Sequence, residues 1–290
     1  MKKFFKTAGW IALYLGVYFI FQIVYVFVAA IVMSIKIVVQ EPDLTPDLIA
    51  EKTEPMIMGQ LPMSIIVSSI VAFGVYYLIS KGRKQDFFQT CQFRKISLKS
   101  ALSFVPAGVG LVFINGFLLG ILNKTELLDN AFSKHVELMG QLLGGNTVVV
   151  FLSVAIAAPF IEEIIFRGLI LKELRKSMSL KWAIFIQALL FGLYHMQLVQ
   201  GIYTFFMGIL LGLVCVWLKS IWPAIILHLF NNLTSMLLSR TDALDGVLDT
   251  LSIPLVMISG LVVAGVTYHT YKNRLEEEEI EEAVADITSL

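Results

Sequence analysis

Phe151-Leu-Ser-Val-Ala-Ile-Ala-Ala-Pro159-Phe-Ile-Glu162-Glu163-Ile-Ile-Phe166-Arg167-Gly168 puts two adjacent carboxylates and a guanidinium inside an apolar run. The run extends over residues 147–171, about the 20 residues that a helix needs to cross the hydrocarbon core of a bilayer. A charge at the centre of such a helix costs about 2.5–3.5 kcal/mol even on insertion scales, so it persists only when paired, solvated or used. Arg167 follows Glu163 by four residues, and on a helix these two share a face and can neutralise each other. Glu162 points about 100° away and lacks that partner. The pairing predicts a structural Glu163 and a chemically available Glu162. Pro159 frees a backbone carbonyl one turn back and predicts a kink where a water cavity would help.

The rest of the chain has the same character. Of 290 residues 57% are hydrophobic and 15% charged, with a mean hydropathy of +0.80. A soluble domain carries about 25% charged residues, so the composition points to an all-α polytopic membrane bundle. Candidate spans cover residues 10–35, 61–80, 101–122, 147–171, 182–196, 201–218, 222–239 and 252–271, eight in all. Lys2, Lys3 and Lys6 precede the first run in the manner of a secretory signal. That run is too long for a signal core and lacks a small-residue cleavage site, so it reads as a retained first span.

Loop charge supports the count. With the N-terminus inside, cytoplasmic segments hold 16 of the Lys and Arg residues and external segments five, alternating loop by loop. The positive-inside rule expects that pattern for eight spans with both termini cytoplasmic. The first external loop is acidic (Glu41, Asp43, Asp47, Glu51, Glu54), and so is the last (Asp242, Asp245, Asp249). The stretch Glu126 to Leu143 is weakly amphipathic and is expected along the outer interface. Segment 81–100, basic with Phe87, Phe88 and Phe93, is expected on the anionic inner leaflet. The organisation reads as one transmembrane domain, residues 1–275, followed by an acidic cytoplasmic tail, 276–290. Cys91 and Cys215 have no partner spacing and suggest neither a disulfide framework nor a cysteine metal site.

Further polar groups interrupt the later spans. The fifth ends Phe191-Gly-Leu-Tyr194-His195, and the seventh begins Trp222-Pro-Ala-Ile-Ile-Leu-His228-Leu-Phe-Asn231-Asn232. His228 and Asn232 are four apart and share one face. His135, in an external loop, and His269, at a membrane exit, read as incidental. Two carboxylates, two imidazoles and an amide on three spans suit hydrolysis of an acyl bond. A glutamate near imidazoles can activate water, and an amide can stabilise an oxyanion. The set could equally hold a divalent metal such as zinc through Glu162, His195 and His228, with water as the remaining ligand. The soluble zinc-protease signature His-Glu-x-x-His is absent, as is a phosphate-binding glycine loop.

Glu162-Glu163-x-x-Phe166-Arg167, Phe191-x-x-x-His195 and His228-x-x-x-Asn232 resemble, in order, the three motifs of the CPBP family. That family unites type II CAAX prenyl endopeptidases with bacteriocin-processing and immunity proteins (the Abi family), and the resemblance covers about residues 145–240. It implies an eight-helix fold with a conical cavity open to membrane and cytosol. It further implies that Glu162 activates the water, Glu163 pairs with Arg167, His195 assists the base or the leaving group, and His228 with Asn232 forms the oxyanion site. Family members are named metalloproteases, yet a metal-independent glutamate mechanism is also argued for them, and the sequence does not arbitrate.

The expectation is therefore an intramembrane endopeptidase in a bacterial plasma membrane. It would cut membrane-presented peptide or protein substrates near the cytosolic leaflet, with no nucleic-acid partner. Two other readings stand beside it: a catalytically silent scaffold or bacteriocin-immunity protein, and a proton-coupled transporter. The transporter reading is opposed by the lack of inverted repeats or paired broken helices. One geometric difficulty remains. His195, about 14 residues along an inward-starting span, would stand about 21 Å up, while Glu162 and His228 are expected nearer the cytoplasmic side. The fifth span would have to tilt, begin late or break to join them.

Overall fold

The computed structural model describes residues 2–124, 128–241 and 245–274, with the side chains of residues 2 and 245–252 left aside. Glu126, Asp242 and the acidic tail at 276–290 lie outside the described residues, as do the side chains of Asp245 and Asp249.

Among the described residues the chain is helical, without strands. The helices are α1 (Lys2–Gln40), α2 (Pro46–Met58), α3 (Leu61–Gly82), α4 (Phe87–Thr90), α5 (Leu98–Leu122) and α6 (Asp129–Leu143). They continue with α7 (Thr147–Arg175), α8 (Leu180–Tyr194), α9 (Leu198–Leu218), α10 (Trp222–Leu238) and α11 (Asp245–Lys272). A helix stands at each of the eight expected spans. Six are long and apolar enough to cross a membrane, whereas α8 and α10, with 15 and 17 residues, fall short of a full crossing. The acidic loop after the first span contains a helix, α2, started by the Thr45 side chain accepting from the Leu48 N–H and by Pro46 at its first position.

Among the described residues, contacts tie helix ends together toward two ends of the bundle. At the first end Thr7 bonds Ser177, Arg83 bridges Glu173 at 2.6 Å, the Ser220 hydroxyl donates to the Arg94 carbonyl, and Trp217 packs on Tyr271. These segments carry most of the basic residues. At the other end Tyr25 donates to Gln60, His135 bonds Gln197, and Arg240 donates to the Thr147 hydroxyl. The described chain starts and finishes at the basic end, as an even number of crossings requires.

Apolar side chains face two solvents. On α1, Ile20, Ile23, Phe27, Ile31 and Ile35 are exposed, which suits a helix against lipid, while Tyr14 and Tyr18 turn inward. The densest core lies around α7, where Ile161, Ile164, Ile165, Phe166 and Ile170 are fully buried. Segment 81–100 departs from the expected surface position. Phe87 is buried, and Phe87 and Phe93 join Phe73, Phe160 and Trp222 in an aromatic plug across the basic end, leaving only Phe88 half exposed.

Candidate active site

α7 is not a uniform helix. Two π-helical stretches, Phe151–Ala157 and Ile164–Ile170, flank the α-helical turn Ala158–Glu163. Such bulges redirect side chains and release carbonyls, and they gather at functional sites. Here the release can be traced. The Ala158 N–H donates to the Ser153 carbonyl, five residues back. The next donor in that register is Pro159, which has no N–H. The Val154 carbonyl is thus free, and the Asn232 side-chain amide donates to it at 3.0 Å. The sequence expectation of a carbonyl freed by Pro159 is met, and its partner is the amide of the third motif.

Glu163 is fully buried and organises the charge. Arg167 Nη1 and His228 Nδ1 each lie 2.8 Å from its Oε1. Arg167 also donates to the Gly208 carbonyl at 3.1 Å and lies over the Phe191 ring at 4.6 Å. The α7 ion pair thereby orients an imidazole on α10. With its Nδ1 committed to the carboxylate, His228 turns Nε2 to the other side. That nitrogen stands 3.8 Å from Oε2 of Glu162, whose side chain retains 12% of its exposure. Among the described residues no side chain or backbone N–H donates to the Glu162 carboxylate.

His195 ends α8. Its Nδ1 lies 2.8 Å from the Phe191 carbonyl, an acceptor only, so Nδ1 carries the hydrogen and Nε2 is left for a ligand. The Phe191 ring lies between the two imidazoles, 5.0 Å from His195 and 5.8 Å from His228. The expected mismatch in depth does not arise, because α7 runs on past residue 171 to Arg175 before turning into α8. Counted from that turn, Glu162 is 13 residues up one helix and His195 caps the 15-residue helix beside it. At 1.5 Å per residue both stand about 20–22 Å from the turn. α8 and α9 then form a hairpin closed inside the bundle, where a Cβ on Gly192 would meet the Gly201 carbonyl at 2.6 Å.

Glu162, His195, His228 and Asn232 line one cavity of about 710 Å³. Its wall continues through Tyr18 to Ala30 on α1, Leu61 to Ile65 on α3, and Met139 and Leu142 on α6. No Lys or Arg lines it, so Glu162 is its one charged neighbour apart from the imidazoles. Glu163 and Arg167 lie behind that wall.

Several participants escaped the sequence reading. Gln187 on α8 donates to the Gly208 carbonyl at 2.8 Å, the same oxygen that takes Arg167, and so ties the ion pair to the α8–α9 hairpin. Asn115 on α5 donates to Asn231, which donates to Asn232. Both Gln187 and Asn115 are amides within apolar spans, the criterion that singled out His228 and Asn232. His135, read as incidental, bonds Gln197 at 3.0 Å and packs against Tyr203 on the cavity wall. His269 stays apart from the site.

The metal reading meets a geometric obstacle. Among the described residues no three His, Cys, Asp or Glu side chains converge in an arrangement that holds a metal ion. Glu162, His195 and His228 share a cavity without forming a preorganised ligand set.

Residues 144–234 match the family model described as Type II CAAX prenyl endopeptidase Rce1-like. The matched range contains Glu162, Glu163, Arg167, His195, His228 and Asn232 and leaves α1 to α6 and α11 outside. It supports the resemblance to the CPBP family drawn from the three motifs. No curated protein and no solved structure matches the chain.

Proposed function

On the premise of that CPBP-type motif region, we propose that the protein is an intramembrane endopeptidase in which Glu162 activates water. The observation that carries this is the position of Glu162. It is a carboxylate inside a bundle, open to a cavity, given no hydrogen bond by the described residues, and faced at 3.8 Å by an imidazole held from behind. A gap of that length between two polar groups suits a bridging water.

Glu162 takes one proton from the water as its oxygen adds to the substrate carbonyl carbon. His195 Nε2 accepts a hydrogen bond from the water's other O–H and orients the attack, and that hydrogen stays with the oxygen. The oxyanion is met by the second N–H of the Asn232 amide, whose first is committed to Val154. His228, held from behind by the Glu163 carboxylate much as a buried aspartate orients the histidine of a catalytic triad, faces Glu162 with Nε2 and steadies that carboxyl while it carries the proton. Collapse of the intermediate breaks the C–N bond, and Glu162 returns its proton to the departing nitrogen. The products are an acid and an amine, and the enzyme is regenerated.

The test is cleavage of a peptide library by purified protein and by Glu162→Gln, each with and without chelator. Cleavage lost in the variant and retained under chelation supports the reading. A cellular phenotype that survives Glu162→Gln moves the scaffold reading ahead.

A further inference from the structure

The catalytic cavity has a direction. From Glu162 its wall follows α1 from Tyr18 to Ala30, the first residues of α3, the α8–α9 turn and the α6 residues Met139 and Leu142. All of these lead away from the basic end. No residue of segments 83–97, 172–181 or 219–221 lines it. Toward the basic end the path is filled by buried Tyr14, Tyr76 and Phe104 and by the aromatic plug of Phe73, Phe87, Phe93 and Phe160.

The opposite end has an opening and a roof. Ile23 and Phe27 line the cavity and yet keep 53% and 65% of their exposure, so the wall is breached beside α1. Over it lies α6, whose inward side carries Phe132, His135, Leu138, Met139 and Leu142 at helical spacing. α6 buries no residue fully, and its polar tie to the hairpin is the His135–Gln197 bond. The α8–α9 turn beneath it, with Gln197 and Gln200 on the cavity wall, sits well short of a full span. Irregular backbone at that depth is tolerated where it meets water.

We propose that substrate enters from the face opposite the basic loops, beneath α6 and beside Ile23 and Phe27. By the positive-inside rule this is the extracytoplasmic face. The occupant is an extended, largely apolar peptide segment of a protein anchored in the outer half of the bilayer. The lining is mostly apolar and offers no Lys or Arg to a terminal carboxylate, so an internal segment fits it better than a free C-terminus. This departs from the cytosolic opening that the family resemblance implies. The cut rests on the endopeptidase reading above, whereas the entrance rests on the cavity alone.

Thiol labelling separates the two, because it reads no catalysis. Cys91 and Cys215 are buried, so the unaltered protein is the blank. Gln22→Cys and Gln200→Cys place thiols on two cavity walls, while Glu51→Cys and Lys95→Cys mark the acidic and basic ends. A membrane-impermeant maleimide is applied to intact cells and to inverted vesicles, with detergent-unfolded samples as the full-labelling reference. Both cavity thiols are expected to label at least tenfold faster from the side that labels Glu51→Cys, and that side is the outside of intact cells. Labelling from the Lys95→Cys side, or from neither side, overturns the proposal. His135→Ala, which frees α6 from Gln197, is expected to raise the Gln200→Cys labelling rate several-fold. An unchanged rate overturns α6 as the roof.

Discussion

His228 Nδ1 lies 2.8 Å from Glu163 Oε1, the oxygen that also receives Arg167. The second glutamate of the pair therefore acts through the histidine of another helix, and the motifs on α7 and α10 form one unit. Its charge is balanced by Arg167, and its geometry is passed on to the nitrogen that faces Glu162. Orientation and charge are separable by substitution.

Glu163→Gln keeps the shape and removes the charge. Arg167 is then a buried cation without a counter-ion, a state that costs about 3–5 kcal/mol. Thermal unfolding in detergent should show a lowered midpoint and activity should fall together with it. A thiol-reactive dye can follow the transition, since burial pushes the Cys91 thiol up to about 12 and keeps it unreactive in the folded protein. Glu162→Gln, at a site where the described residues give no hydrogen bond to lose, should leave the midpoint nearly unchanged while abolishing cleavage. Equal midpoints for the two variants would contradict the division of roles.

Asn232→Ala leaves the Val154 carbonyl without the amide that replaces the missing Pro159 N–H. An unsatisfied buried carbonyl costs about 1–3 kcal/mol, and loss of an oxyanion donor typically lowers kcat about 10²–10³-fold. A fall in stability with cleavage intact would confine Asn232 to capping α7. Asn232→Asp, which keeps volume and loses the donor, should reproduce the fall in kcat.

How far these relations could be read in the sequence depended on their range. The Glu163–Arg167 pair is a four-residue spacing on one helix, and the Pro159 effect is a missing N–H, so both were legible locally. The capture of Val154 by Asn232 spans 78 residues and needs α7 and α10 to pack. Gln187 reaches Arg167 only through the Gly208 carbonyl, a backbone group with no sequence signature. The depth of Glu162, not that of His195, was misjudged, because hydropathy ends the fourth span where charge begins. The helix itself continues to Arg175, with Glu173 paired to Arg83 and Lys176. The direction of the cavity was illegible for a related reason. Phe87 and Phe93 read as surface anchors on an amphipathic loop, whereas they fold inward and close the basic end.

Gly192→Ala tests whether the hairpin sets the place of His195. The added methyl meets the Gly201 carbonyl at 2.6 Å and Phe205 Cβ at 3.3 Å, both across the α8–α9 crossing. Overpacking of this kind costs about 1–3 kcal/mol, and the strain falls three residues before His195. A displacement of about 1 Å can lower turnover about 10²-fold. Gly260→Ala on α11, with open space around its Cβ, is the control and should change neither stability nor rate. If Gly192→Ala behaves like that control, His195 is placed by something other than the helix crossing.

Chelation decides between the two chemistries that the residue set permits. His228 commits Nδ1 to Glu163 and His195 commits Nδ1 to the Phe191 carbonyl, so each has Nε2 to offer. Yet no three ligating side chains converge among the described residues. Binding a metal would require the hairpin to move relative to α7 and α10, and Gly192, Gly208 and Gly212 are packed too closely for an easy shift. Cleavage is therefore expected to survive prolonged dialysis against a strong chelator with at most a twofold change in kcat/KM. It should be lost in Glu162→Gln with or without added zinc. Activity lost on dialysis and restored by stoichiometric zinc would reverse the assignment, with Glu162, His195 and His228 closing on the ion.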